Sequence, residues 1–397
     1  MSSQFSRLFV IAAISFLTLV DLFATQAILP SLAKAYGVPP SVIGSAVNAC
    51  TMGMAVAGVA VAYFNRRINR RLGVVVSLAL LSIPTVLLAL MPSLPLFTVL
   101  RLVQGLFMSA AFSLTIAYLA ENCSSEDAAS ALAAYVTGNV ASNLIGRLMS
   151  AAVADHLGLS WNFMFFAVLN LAGACLAYVA LKSTVPMASA SAKAAVAPSW
   201  AALFRRKELV ASFAIGFVIL FTFIGTFTYV NFVLTGPVGL SPMQLGFVYF
   251  VFVPSIIATP FAGRVAGLYG ARATILAAFC VAALGLPLLA WPHLNTILAG
   301  LVLIGAGTFF AQATATGYVS RTAGEHRGSA GGIYLASYYA GGLAGSIILG
   351  QFFDRLGWNA TVTAIGAAFA VAAVMTLRLS EPAIPVHAKT RVAQPGI

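Results

Sequence analysis

The chain has 397 residues, of which 61% are hydrophobic and 8% are charged. Soluble domains contain about 45–50% apolar and about 25% charged residues, so this composition excludes a water-soluble globular protein. The formal net charge of +12 would suggest a nucleic-acid partner in a soluble chain. In a membrane protein the positions of the basic residues matter more than their sum, and we expect no nucleic-acid partner.

Breaks at charged, proline-rich and Asn/Ser-rich stretches predict twelve membrane-spanning segments of about 20 residues or more. They are residues 8–30, 41–64, 72–91, 96–120, 129–153, 162–182, 210–234, 242–266, 273–291, 296–319, 329–352 and 358–378. The first segment lacks a small-residue cleavage pattern, which indicates a retained helix and not a signal peptide. The sequence therefore predicts an all-α polytopic membrane protein.

The basic residues predict the orientation of the chain. Most of the 21 Lys and Arg residues fall in connections on the same side of the membrane as the N-terminus. The connections on the opposite side of the membrane hold Lys34 and Arg355. By the positive-inside rule, both termini lie in the cytoplasm. We expect a bacterial-type inner membrane protein. The four tryptophans fall at predicted span ends, where their rings prefer the headgroup region; they are Trp161, Trp200, Trp291 and Trp358.

The two halves of the chain contain a repeated pattern. The Gly146–Arg147 pair, the Asp155–Gly158 stretch and Trp161–Asn162 match three segments half a chain away. Those segments are Gly345–Ser346, Asp354–Gly357 and Trp358–Asn359, and Glu126 and Tyr135 likewise match Glu325 and Tyr334. Internal repeats of six spans are typical of alternating-access transporters. The predicted domains are residues 1–182, a cytoplasmic linker at 183–208, and residues 209–397.

The residues of nucleotide, metal and hydrolytic sites are missing. The sequence has no G-x-x-x-x-G-K-[ST] loop, and its four cysteines form no CxxC or zinc spacing. The four histidines fall in predicted loops or in the C-terminal tail: His156, His293, His326 and His387. We therefore expect neither an enzyme nor a bound metal or cofactor.

Arg101, Gln104 and Gly105 near the start of the fourth span form an R-x-x-Q-G pattern. With the predicted topology, this pattern resembles the major facilitator superfamily, in particular its twelve-helix drug:proton antiporter and sugar-efflux branch. The resemblance implies twelve helices in two pseudo-symmetric six-helix bundles. It also implies that Arg101 lies near the proton-coupling acid.

The fifth span is similar to the glycine-rich helix of the antiporters. Gly138, Ser142 and Gly146 repeat every four residues, which predicts a smooth ridge for close helix contact. The family's Gly-Pro pair is absent, and Ser142–Asn143 stands in its place.

The loops at residues 63–71 and 263–272 keep the basic residues of a family gate motif but lack its aspartate, with Gly267 at that place in the second. Their arginines fit two roles, contact with anionic membrane lipid and a specific gating function.

Asp21 lies about halfway along the first predicted span. Ionisable residues inside the membrane are rare and mark functional sites, so Asp21 is a candidate functional residue. Thr18 and Thr25 fall on the same helix face, and Gln26 follows. We assign Asp21 as the proton-coupling acid, Arg101 as its partner, and Thr25 and Gln26 to substrate binding. A structural ion pair of Asp21 with Arg101 or Arg147 is the alternative.

Asn139, Asn143 and Arg147 lie on one face of the fifth span, and such a polar stripe must face protein or a water-filled cavity. With Asp21 and Arg101, the N-terminal half would hold two buried cations and one acid, a charge suited to an anionic substrate. Alternatively, Arg147 extends toward the membrane surface and pairs with Asp155.

The predicted cavity face of the C-terminal half is neutral and aromatic. Its candidates share a hydroxyl or amide group on three different spans, and such groups hydrogen-bond and stack on organic solutes. They are Thr226, Tyr229, Gln312, Tyr334 and Tyr338. Helix packing is the alternative role for each of these residues.

The sequence predicts a monomeric secondary active transporter that exports a small organic molecule in exchange for protons, as the resemblance to multidrug antiporters implies. Proton-coupled uptake of an organic anion or sugar would use the same residues. Lipid flipping is a further alternative.

Overall fold

The computed structural model describes residues 2–64, 69–122, 125–181 and 200–380. Several basic residues of the orientation argument lie outside these ranges, as do residues 183–199 of the predicted linker. These basic residues are Arg66, Arg67, Lys182, Lys193, Lys389 and Arg391. Within the ranges, the side chains of Glu126 and Glu325 are not among those described.

All regular structure in the described ranges is helical. The helices are α1 (Ser2–Ala27), α2 (Leu29–Tyr36), α3 (Pro40–Phe64), α4 (Arg70–Ala89), α5 (Leu94–Asn122), α6 (Ser125–Leu157), α7 (Leu159–Ala180), α8 (Trp200–Arg205), α9 (Lys207–Thr235), α10 (Pro242–Val248), α11 (Val253–Ala258), α12 (Ala262–Tyr269), α13 (Ala271–Leu284), α14 (Leu286–Ala290), α15 (Leu294–Ala323) and α16 (Arg327–Thr376). Short 3₁₀ turns connect α10, α11 and α12.

The number of membrane-spanning segments agrees with the prediction. Within the described residues, ten stretches are long and apolar enough to cross a membrane. One of them, Gly328–Thr376, is 49 residues long and holds two spans. The less apolar α6, with 33 residues, supplies a further span. The predicted all-α fold with twelve transmembrane helices is therefore confirmed.

Two glycines turn the chain at equivalent corners of the repeat. Gly158 follows α6 with φ 88°, and Gly357 divides α16 with φ 82°. Residues with a side chain rarely adopt this left-handed region, so glycine is required at both corners. The repeated Asp-x-Leu-Gly pattern is thus matched by a repeated backbone conformation.

Three predicted spans are less regular than expected. The first ends at Ala27, and α2 begins with Pro30 in its first turn, because proline fits the start of a helix and not its interior. The eighth consists of α10, α11 and α12 with intervening 3₁₀ turns, and the ninth is divided into α13 and α14. The segment predicted as linker contains α8.

Small residues allow close helix contacts inside each half. A Cβ atom at Gly138 of α6 would collide with the main-chain oxygen of Ala12 in α1, and one at Gly341 of α16 would collide with that of Phe217 in α9. Gly146 also lies against α1, and Gly105 of α5 lies directly on α3. The two halves then meet where α3 packs on α16 and α6 on α10.

Candidate functional site

A central cavity lies between the two halves, and α1, α3, α5 and α6 face α9, α15 and α16 across it. The empty space between its lining atoms, which includes open solvent at its mouth, is about 710 Å³. Its apolar wall includes Leu22, Phe23, Phe112, Phe223 and Phe309. The cavity therefore suits an organic molecule with a sizeable apolar part.

Four of the predicted binding residues line this cavity: Asn139, Asn143, Gln312 and Tyr338. The polar lining also contains Thr51, Thr308 and Tyr339, which were not predicted from the sequence. Tyr339 follows Tyr338 directly, so their positions along the helix could not show that both reach the cavity.

At one end of the cavity, where α1 and α9 end and α3 and α10 begin, hydrogen bonds join the two halves. We call this the closed end. Asn48 donates through Nδ2 to Thr228 Oγ1 at 3.1 Å, and Asn231 Nδ2 donates to the main-chain oxygen of Gln26 at 3.0 Å. Gln26 donates to Asn48, and Tyr249 donates to Asn231. These five residues form the closed-end network.

Arg147 lies beside this network and is completely buried, with 0% of its surface exposed. Its Nη2 donates to Gln26 Oε1 at 2.6 Å. The guanidinium carbon lies 4.1 Å from the ring centre of Tyr249 and 5.6 Å from that of Phe252, both from the other half. The predicted alternative, a pair with Asp155, does not occur in this conformation, because Asp155 is exposed at the helix end while the guanidinium points inward.

Asp21 belongs to a second network, which lies wholly within the N-terminal half. Asp21 is buried, with 3% of its surface exposed, and its carboxylate accepts a hydrogen bond from Asn170 Nδ2 at 2.6 Å. Asn170 also donates to Thr85, and Gln104 Nε2 donates to the same hydroxyl at 2.7 Å. We call Asp21, Thr85, Arg101, Gln104 and Asn170 the Asp21 network.

Arg101 joins this network through amide and main-chain groups. Its nitrogens donate to Gln104 Oε1 at 2.7 Å, to the main-chain oxygens of Val47 and Asp21, and to the sulfur of Cys50. The expected partnership with Asp21 therefore runs through the Asp21 carbonyl, at 3.4 Å, and the side-chain partner of the carboxylate is Asn170.

Several predicted binding residues lie away from the cavity in this conformation. The hydroxyls of Thr25 and Thr226 donate to carbonyl oxygens one turn earlier in their own helices. Tyr229 donates to the main-chain oxygen of Ser346 and packs at the closed end, and the ring of Tyr334 lies against Gly216. Gln26 belongs to the closed-end network. Helical spacing indicates which side chains share a helix face, but it could not show which face meets the other half.

A membrane protein whose two helical halves enclose a cavity that is closed at one end has the architecture of a transporter. The family model of the Major Facilitator Superfamily matches residues 11–253 and 231–395. The chain belongs to this family, and the resemblance noted in its sequence is confirmed.

Related proteins match along most of their length. The inner membrane transport protein YnfM of Escherichia coli (strain K12) is 26% identical over 366 residues, which cover 91% of this chain and 87% of the relative. The uncharacterized MFS-type transporter YybF of Bacillus subtilis (strain 168) is 24% identical over 360 residues, 89% and 88% of the two chains.

Solved structures show the same fold. The nucleoside transporter NupG matches with a TM-score of 0.73 and 14% identity, over 94% of this chain and 99% of that one. The human organic anion transporter MFSD10 (TETRAN) matches with a TM-score of 0.70 and 18% identity, over 93% and 99%. The chain is thus a multi-pass membrane transporter of the Major Facilitator Superfamily.

Proposed function

We propose that this transporter exports a small organic molecule in exchange for protons by alternating access. The observation that carries the proposal is the central cavity, which both halves line and which the closed-end network seals at one end. Residues 1–182 and 209–397 would move as two units, with residues 183–208 as the connection between them.

The distribution of basic residues supports a direction for the cavity. Arg71, Arg205, Arg206 and Arg264 lie at the ends of helices remote from the closed end, whereas Lys34 and Arg355 lie on the side of the closed end. By the positive-inside rule, the closed end faces the outside and both termini are cytoplasmic. The cavity would then take its substrate from the cytoplasm, as an exporter requires.

We assign the proton-carrying role to Asp21. A carboxylate enclosed at membrane depth is costly when ionised, so proton binding and release are the natural way for it to change state. Leu19, Leu22 and Phe23 of the same helix line the cavity, while the carboxylate of Asp21 contacts Asn170 on the side away from it. Substrate and proton would therefore act on opposite faces of α1, and α1 would couple them.

The test is proton flux in proteoliposomes that contain the full chain, with an imposed pH gradient and a panel of organic cations, organic anions and sugars. Asp21→Asn removes the titratable group and keeps its size, and Asp155→Asn, at an exposed acid, is the matched control. We expect substrate-stimulated proton movement in the wild type and in Asp155→Asn, and its loss in Asp21→Asn.

Retention of both substrate transport and proton movement in Asp21→Asn would show that Asp21 is a structural group. Uptake in place of export would appear in the same vesicles as substrate moving in the same direction as the protons, and this outcome would reverse the proposed direction.

A further inference from the structure

Arg147 is a buried cation without an anionic partner. Its Nε and Nη1 atoms have no hydrogen-bond partner, and among the described carboxylates none forms an ion pair with it. The carboxylate of Asp21 contacts Asn170 instead. Buried guanidinium groups normally bond through most of their five donors, as Arg101 does here. The unused donors of Arg147 therefore call for an explanation.

Asn143 shows the same deficit one helical turn earlier. Asn143 is buried, with 1% of its surface exposed, and neither its Nδ2 nor its Oδ1 atom has a hydrogen-bond partner. Asn143 lines the central cavity, and Phe23, which also lines it, packs over the guanidinium of Arg147 at 5.5 Å. Residues four apart share a helix face, so the unused polar groups lead from the cavity toward its closed end.

We propose that Arg147 and Asn143 form an anion subsite that takes the carboxylate of an organic monoanion. This inference names the substrate class of the proposed exporter and rests on that proposed function. Guanidinium donors bind a carboxylate in a two-pronged geometry, and Asn143 Nδ2 adds a third donor. One uncompensated positive charge matches one negative charge.

The apolar wall of the cavity supplies the rest of the site. Leu22, Phe223 and Phe309 offer a surface for an aliphatic or aromatic body. Tyr249 and Phe252 of the opposite half cover the guanidinium at the closed end. When the halves separate there, these rings leave with α10 and the following 3₁₀ turn. Arg147 would then face the outside, where water can compete for its donors and the carboxylate can dissociate.

The experiment is thermal unfolding of the purified full chain in detergent with three matched probes: phenylacetate, its uncharged amide phenylacetamide, and phenyl phosphate. A molecule that binds the folded protein raises its apparent unfolding temperature by mass action. We expect phenylacetate to stabilise the wild type and Arg264→Gln, an exposed arginine control. Phenylacetamide should not stabilise either protein.

Arg147→Gln should weaken phenylacetate binding at least about thirtyfold, because it removes the charged partner of a buried pair. Arg147→Lys keeps the charge but loses the planar fork, and Asn143→Ala removes one donor, so both should weaken binding by a smaller factor. These two variants decide the question if Arg147→Gln does not elute as a folded species. Equal stabilisation by the amide, binding that survives in all three variants, or a wild type that phenylacetate leaves unchanged overturns the proposal.

Preferential stabilisation by phenyl phosphate also overturns the assignment to carboxylates. The outcomes separate this inference from the proposed function. Binding that depends on Arg147, without proton movement that depends on Asp21, would keep the subsite and refute the coupling. Coupled transport of cations or sugars, without binding of carboxylates through Arg147, would keep the exporter and refute the subsite.

Discussion

The two buried hydrogen-bond networks of this transporter differ in which parts of the molecule they join. The Asp21 network connects α1, α4, α5 and α7, all within the N-terminal half. The closed-end network connects α1 and α3 with α9, and two of its bonds cross from one half to the other. Apart from the bond to the Asp21 carboxylate, which changes when Asp21 binds a proton, the first network can stay intact while the halves rock. The bonds of the second that cross the halves have to break each time the closed end opens.

This difference assigns the two networks different energetic tasks. Bonds that are kept in both conformations contribute to the stability of the fold and leave the equilibrium between conformations unchanged. Bonds present in one conformation alone bias that equilibrium by their full net free energy. Removing the bonds of Arg101 should therefore lower the free energy of unfolding, whereas removing contacts across the halves at the closed end should change the conformational populations.

The largest effect is expected from Arg101→Met. Arg101 is completely buried, and its removal leaves Gln104 Oε1 and the Val47 carbonyl without a donor. We expect a loss of about 3 kcal/mol in the free energy of unfolding, since breaking a buried charged network costs about 3–5 kcal/mol. Denaturant unfolding in detergent measures this loss, with Arg264→Met as the control.

In Arg101→Met the distance across the closed end, measured between spin labels at Leu157 and Leu356, should stay at its wild-type value. A large shift in that distance with little loss of stability would show that the bonds of Arg101 are themselves part of the switch.

Tyr249→Leu should give the largest shift in conformation. It removes the ring 4.1 Å from the guanidinium of Arg147, a contact between the halves, and a desolvated cation–π contact contributes about 2 kcal/mol. The population open at this end should rise about thirtyfold. The distance between spin labels at Leu157 and Leu356, both exposed near the closed end, reports the change once Cys123, Cys175 and Cys280 are replaced by Ala.

Tyr249→Phe keeps the aromatic ring and removes the hydroxyl that donates to Asn231. It should shift the distance distribution much less than Tyr249→Leu does. Equal shifts in the two variants would assign the effect to the hydroxyl and not to the ring.

Asn231→Val should produce a smaller shift. Its Nδ2 donates to the Gln26 carbonyl across the halves, and a typical net hydrogen bond contributes about 1 kcal/mol, so the open population should rise about fivefold. The bond from Tyr249 to Asn231 lies within one half and should affect stability alone. The same label pair measures the shift, and Thr235→Val, one turn later in α9, is the control. An unchanged distance would mean that the Gln26 bond carries no net free energy.

The positions of the helices were largely predictable from the sequence, because hydrophobic length and basic residues are local signals. The Asp-x-Leu-Gly repeat also predicted equivalent segments, and both of its glycines turn corners. The divided eighth span was not predicted, since its 3₁₀ turns occur inside an apolar stretch in which Pro254 and Pro260 were the available signals.

The candidate site was predictable only in part. Asp21 was selected because a charge inside an apolar span stands out, and Arg101 because its R-x-x-Q-G pattern resembles that of the family. Asn48, Asn170 and Asn231 were missed, although each is a lone amide in an apolar stretch, and that is the signal that could have found them. Which amide faces the other half depends on how the helices are rotated and paired across the chain, and a single sequence contains no local record of that arrangement.

The smallest effect is expected from Asp354→Ala, at the rim of the closed end. Asp354 Oδ2 accepts a bond from the main-chain nitrogen of Ser41 at 3.2 Å, across the halves. Ser41 lies in the first turn of α3, where free N–H groups attract a carboxylate. Asp354 is exposed, so water readily replaces its carboxylate as the acceptor. We expect the contact to contribute about 0.5 kcal/mol, so the open population, measured with the same label pair, should rise roughly twofold. Asp354→Asn keeps an acceptor and loses the charge, so its shift should fall between wild type and Asp354→Ala. A shift larger than that of Asn231→Val would show that the exposed contact of Asp354 contributes more to keeping this end closed than the buried amides do. The buried amides would then serve mainly to align the halves.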